Sequence, residues 1–131
     1  YEIVGSQGGI DTNSDGKANI FPGQAGYTEA AINRRVSDIN LTVNEGGTAI
    51  SNTKLAGNSF LAPFIIVNGT PEIIQDNSVN NNLDIYFSFL EANIQGTDQI
   101  RLLGNNVWGF EDIAGGDMDF NDLIIRVNLD Y

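Results

Sequence analysis

The chain has no cysteine and no histidine, one tryptophan and one methionine, and six lysine and arginine residues against seventeen aspartates and glutamates in 131 positions. Each shortage excludes something. Without cysteine there are no disulfide staples, which fits either redox compartment. Without cysteine and histidine the nitrogen and sulfur donors that zinc, copper and iron sites usually use are missing, so any metal must be held by oxygen. The same gap removes the usual general base and the thiol nucleophile, and no G-x-S-x-G signature is present, so catalysis is not expected. The longest apolar runs, such as Leu61 to Val67, are far too short to span a bilayer. A formal net charge of -11 and a pI near 4.1 argue against nucleic-acid phosphates and anionic lipid as partners, and in favour of cations.

What the chain has in excess is concentrated in one place. Five of its acids, Glu111, Asp112, Asp117, Asp119 and Asp122, fall within twelve positions, and no Lys or Arg lies between Arg101 and Arg126. Two carboxylates about 5 Å apart repel by roughly 3 kcal/mol at an effective dielectric near 20, against under about 1 kcal/mol in water. A folded loop that gathers several therefore calls for a cation or protons; the bland alternative is a solvated turn that happens to be acidic. With oxygen donors only, calcium fits best, because it accepts six to eight oxygens in flexible geometry whereas magnesium demands a near-ideal octahedron. Asp117, Asp119 and Asp122 follow a D-x-D-x-x-D spacing with Asn121 among them. Gly115 and Gly116 allow the bend, and Met118 and Phe120, alternating with the acids, are expected to anchor the loop to the core.

A second candidate, Asp11-Thr12-Asn13-Ser14-Asp15-Gly16-Lys17, matches the D-x-N-x-D-G start of an EF-hand loop. Asp11, Asn13 and Asp15 would supply side-chain ligands there. The twelfth position is Pro22 rather than a bidentate Glu, so the segment is either a calcium loop of another architecture or an Asx-rich turn with Gly16 left-handed. A calcium ion with unfilled positions can take two vicinal sugar hydroxyls, and Gly116, Asn106 and Trp108 join Asp117 and Asp119 as the candidate sugar contacts. A single Trp such as Trp108 is more often core than sugar platform, and Asn105-Asn106 is also ordinary turn chemistry. Arg126 is expected to pair with a loop acid or with Asp84.

Along the chain, period-two alternation marks Ile39 to Asn44, Ile85 to Phe89 and Leu123 to Leu129 as half-buried antiparallel strands. Phe60 to Val67, Ile100 to Leu103 and Val107 to Phe110 add others. Tyr27 to Val36 reads as a short helix, with Glu29 in its first turn and Arg34 and Arg35 in its last. Asp76 to Asn82 reads as a polar surface loop. No repeat, linker or domain boundary is visible. The expected fold is mainly β: a single calcium-binding domain over 1–131, an antiparallel two-sheet β-sandwich of jelly-roll type with one short helix. The chain begins at Tyr1 rather than Met, as expected of a mature product or an excised piece of something longer.

The stretches Tyr86-Phe87-Ser88-Phe89-Leu90-Glu91-Ala92-Asn93, Arg101-Leu102-Leu103-Gly104, Trp108-Gly109-Phe110-Glu111-Asp112 and Asp117-Met118-Asp119-Phe120-Asn121-Asp122 resemble the hallmark of a bacterial domain family of unknown function. Its members are common in secreted cyanobacterial and marine proteins. Pro22 to Tyr27 with Ala30-Ala31, and Leu61 to Phe64, extend the resemblance over nearly the whole chain. Around Gly115-Gly116 this chain is one residue shorter than many members, with every acid in place. The resemblance implies a module of large exported proteins, often beside haemolysin-type calcium repeats, with adhesion as its suspected role. It implies Glu111, Asp112, Asp117, Asp119 and Asp122 as calcium ligands or their supports. The expected function is a calcium-dependent carbohydrate-binding module of an extracellular adhesin, one module of a larger chain, with no nucleic-acid partner and no membrane insertion. A calcium-stabilised structural domain without a sugar site, or a protein–protein interaction module, is the alternative.

Overall fold

A computed structural model describes residues 1–55, 57–76 and 84–129. Seven short strands occur among them: β1 (Glu2–Ile3), β2 (Phe60–Leu61), β3 (Phe64–Val67), β4 (Asp84–Phe87), β5 (Ile100–Gly104), β6 (Val107–Phe110) and β7 (Leu123–Arg126). Two helices, α1 (Tyr27–Asn33) and α2 (Pro71–Gln75), and two 3₁₀ turns, Leu90–Ala92 and Ile94–Gly96, complete the elements. Every ladder among the described residues is antiparallel, the pairing that half-buried alternation favours. The strands form three small sheets: β1 with β2, β3 with β4, and β5-β6-β7. None of the described helices is long and apolar enough to cross a membrane.

The main core packs the N-terminal segment and α1 against residues of the middle of the chain. Tyr1, Ile10, Tyr27, Ala30, Ala31, Ala62 and Phe87 are buried together there. Rings of Tyr1, Tyr27, Phe64 and Phe87 meet edge-on or tilted at centroid separations of 5.5 to 6.3 Å, the arrangement that ring quadrupoles prefer. The two tyrosine hydroxyls bond each other at 3.0 Å, and Tyr27 also donates to the Gly8 carbonyl, so neither phenol is buried unsatisfied. α1 contributes the face Tyr27, Ala30, Ala31 and Ile32.

This helix ends three residues before the expected boundary. Arg34 is its C-cap, and the two arginines act just beyond it: Arg35 donates to the Ile32 carbonyl and Arg34 to the Asp11 carbonyl. α2 follows the cap signal Thr70-Pro71-Glu72, with the Thr70 hydroxyl accepting from Ile73 N–H.

One expected strand is corrected. Ile39 to Asn44 forms no ladder; Leu41 and Val43 are half-buried and line a shallow groove together with Leu123 to Arg126. These two alternating apolar residues are half-buried there without backbone pairing. The strand at Leu123 is shorter than expected, ending at Arg126, and that at Ile85 ends at Phe87. Of the expected polar loop, residues 77–82 lie outside the described residues.

The β5-β6-β7 sheet positions the acidic loop. Ile100, Phe110 and Leu123 lie in register across it, as do Leu102, Trp108 and Ile125, so these six share one face. Ile100 and Phe110 are buried, while Leu102 is exposed. The loop from Glu111 to Asp122 connects β6 to β7, and its ends are tied at the neck, where Asp122 Oδ2 accepts from Asp112 N–H at 3.0 Å.

Candidate metal centre

Glu111 continues the β5–β6 ladder one residue past the strand, with its N–H bonded to the Gln99 carbonyl at 2.9 Å. That placement carries its side chain inward, and at 1 % exposure it is among the most buried residues of the molecule. Its Oε1 accepts a short hydrogen bond from Phe120 N–H, and its Oε2 faces Gly116, where an added Cβ would lie 3.1 Å away. Asp117 and Asp119 approach from the solvent side. One carboxylate oxygen from each of Glu111, Asp117 and Asp119 lies within 4.8 Å of the other two, the arrangement of a group that could hold a metal ion.

The backbone makes this convergence at a cost. Met118 and Phe120, on either side of Asp119, both adopt left-handed conformations, φ 59° and 57°, which L-residues with bulky side chains rarely occupy. Each costs roughly 1–2 kcal/mol. Repulsion within the triad adds between about 1 kcal/mol per pair in water and about 3 kcal/mol at a dielectric near 20, with the exposure of two members favouring the lower figure. These terms together are comparable with the net stability of a small domain. An ion that offsets even part of them would stabilise the fold.

Packing holds the strained turn in place. The Phe120 ring is buried with the Arg101 guanidinium 3.9 Å from its centroid. Its backbone lies directly on Gly109, where any Cβ would overlap the Phe120 carbonyl oxygen. Phe120 thus anchors the loop as expected. Met118 does not: it is about half exposed.

The remaining candidates separate into three places. Asn121 supports the triad from behind, donating through its N–H at 3.1 Å and its Nδ2 at 2.5 Å to the Asp119 carboxylate. Asp112 and Asp122 sit at the neck. Burial, and then the charge and hydrogen bonding of Asp122, push the Asp112 carboxyl above its ordinary value. Arg126 is exposed and takes part in neither of the ion pairs among the described residues, Arg35–Glu72 and Arg101–Asp98.

Asp11, Asn13 and Asp15 form a separate loop far along the chain. Its geometry is an Asx turn with Gly16 at φ 83°. Asp11 Oδ1 accepts from Asn13 and Ser14 N–H, and Oδ2 from Gly16 N–H at 2.8 Å. Burial raises the Asp11 pKa, but N–H donation from Gly16, Ser14, Asn13 and Asp15 together outweighs it and holds the carboxyl below its ordinary value.

Of the candidate sugar contacts, Gly116, Asp117 and Asp119 meet at the triad. Asn106 occupies the β5–β6 turn at the opposite end of the hairpin, roughly 15 Å away along the strand, and Trp108 lies half-buried between them. Sequence reasoning missed Gln99. Buried at 2 % exposure, it donates through Nε2 to the carbonyls of Glu111 and Ile113. No motif marks it, because its role exists only once β5 and β6 are paired.

The family described as a domain of unknown function (DUF4114) matches residues 55–130. The chain belongs to this family. The DUF4114 region runs from just before β2 through β7 and contains the whole acidic loop, while the Asp11 loop and α1 fall outside it. No curated protein and no solved structure matches the chain.

Proposed function

We propose that this domain is a calcium-binding module whose ion sits on Glu111, Asp117 and Asp119 and presents open coordination positions to a carbohydrate. The observation that carries this reading is the triad itself: a buried carboxylate fixed by a backbone N–H, joined by two exposed ones. Three carboxylates fill only part of the six to eight oxygens calcium accepts, and the rest must come from backbone carbonyls, water or a ligand. Because Asp117 and Asp119 face solvent, the unfilled side faces outward, where vicinal hydroxyls can replace water. The oxygen-only composition supports calcium over zinc, copper or iron. It also supports binding without catalysis. Free calcium is high outside cells, so the reading extends to an exported, adhesin-like parent protein. It also takes the three small sheets as parts of one two-layered sandwich with the acidic loop at its edge.

A second reading, a structural calcium site with no sugar, is favoured by two observations. Glu111 is bonded to the core-anchored Phe120, and Trp108 lies in a sheet row with Leu102 and Ile125. A glycan array probed with calcium and again with chelator separates the two. Retention that calcium restores, and that Glu111→Gln abolishes, supports the carbohydrate reading. Absence of retention on every glycan, with calcium binding intact, leaves the structural reading.

A further inference from the structure

The acidic loop is held from beneath by two uncharged side chains that supply no ligand atom to the triad. Gln99, at the entrance to β5, donates through one amide nitrogen to the Glu111 carbonyl at 3.4 Å and to the Ile113 carbonyl at 3.0 Å. Tyr86, buried on β4, accepts from Ala114 N–H at 3.2 Å. These bonds catch three of the first four residues of the loop, Glu111, Ile113 and Ala114. They join strands from two different sheets, β4 and β5, to a loop that the β6–β7 pairing alone would leave free between its ends. Gly116 N–H then closes on the Ile113 carbonyl at 3.1 Å, the same oxygen that Gln99 holds. The bend that brings Gly116 against Glu111 Oε2, and Asp117 after it, is therefore built on a carbonyl fixed by Gln99.

We propose that Gln99 and Tyr86 are positioning residues that set the cation affinity of the loop, an inference that rests on the calcium reading of the triad. Freed from them, the loop keeps all its acids but loses the bend that makes them converge. Ordering it again on binding then falls to the ion, and affinity drops by the corresponding factor. Loss of general stability is a different effect, and the molecule contains matched controls for it. Asn93 is also a buried amide donating to two carbonyls, those of Phe87 and Thr97, at 2.9 and 2.8 Å. Tyr27 likewise buries a bonded phenol, within the main core.

The test is calcium titration by calorimetry on wild type, Gln99→Met, Tyr86→Phe, Asn93→Leu and Tyr27→Phe, with melting temperatures in chelator measured alongside. The expected result is a Kd about tenfold or more weaker for Gln99→Met and about threefold or more weaker for Tyr86→Phe. Both control variants should stay within about twofold of wild type however far their melting temperatures fall. Equal Kd values for Gln99→Met and Asn93→Leu would overturn the proposal. If Gln99→Met does not fold, Tyr86→Phe against Tyr27→Phe decides it, and an unchanged Kd there overturns it. If wild type takes up no calcium, the calcium reading itself has failed and this inference falls with it.

Discussion

Three residues carry most of the argument about the loop: Gly109, Met118 and Phe120. Gly109→Ala should cost roughly 2 kcal/mol or more, since the new methyl must displace the Phe120 backbone and the Leu103 side chain. Urea unfolding in chelator measures this, and an unchanged midpoint would show that the close approach is unimportant. Met118→Gly should do the opposite, raising stability in chelator by about 1 kcal/mol, because glycine occupies the left-handed conformation without the steric penalty and Met118 buries little. Asp11 makes a pH-dependent prediction. Its folded pKa lies below the ordinary 3.8, so its contribution is fully present above that value and is lost as pH falls through the folded pKa. The stability gap between wild type and Asp11→Asn should therefore be constant from neutral pH down to about 4 and shrink below it; a gap that widened on acidification would contradict the turn described here. The acids and glycines were legible because their types and spacing are visible in one dimension. The burial of Glu111 and the exposure of Met118 were not, since the first follows from the pairing that continues the β5–β6 ladder and the second from a left-handed turn at 118–120 that no spacing rule specifies.

At the scale of elements, β7 was readable from alternation, β5 and β6 from short apolar runs, and the loop between β6 and β7 from charge. The segment from Ile39 was misread for a physical reason: alternation reports that one side is apolar, not that a neighbouring strand edge is available to pair. Leu41 and Val43 are half-buried on one wall of a groove whose other wall is β7, with no ladder between them. α2 was missed although Thr70-Pro71-Glu72 is a start signal, because its five residues are too few for helical periodicity to show. The division between a core around Tyr1, Tyr27 and Phe87 and a loop mounted on the β5-β6-β7 sheet predicts where a bound ion acts. Hydrogen exchange with saturating calcium should slow most at the amides of residues 112–121, beyond the general slowing that the rise in global stability gives α1. Uniform protection across both regions would mean that the ion acts on global stability alone.

The whole molecule carries a charge of -11 and six basic residues, and among the described residues Arg35 and Arg101 are engaged in ion pairs. Self-repulsion on this scale favours any cation that binds the folded form, and screening by salt accounts for part of it non-specifically. What distinguishes a site from an acidic surface is that it depends on one carboxylate. Glu111 is the member of the triad that cannot be replaced by solvent, being buried and bonded to Phe120. A ligand that binds only the folded state stabilises it by about 2.7 kcal/mol at a hundredfold excess over Kd, which is several degrees in melting temperature for a domain of this size. The direct test is therefore the melting temperature of wild type and Glu111→Gln, each in calcium and in chelator at constant ionic strength. The account predicts a rise of several degrees with calcium for wild type and almost none for the variant. Equal shifts in the two proteins, or no shift in wild type, would contradict it.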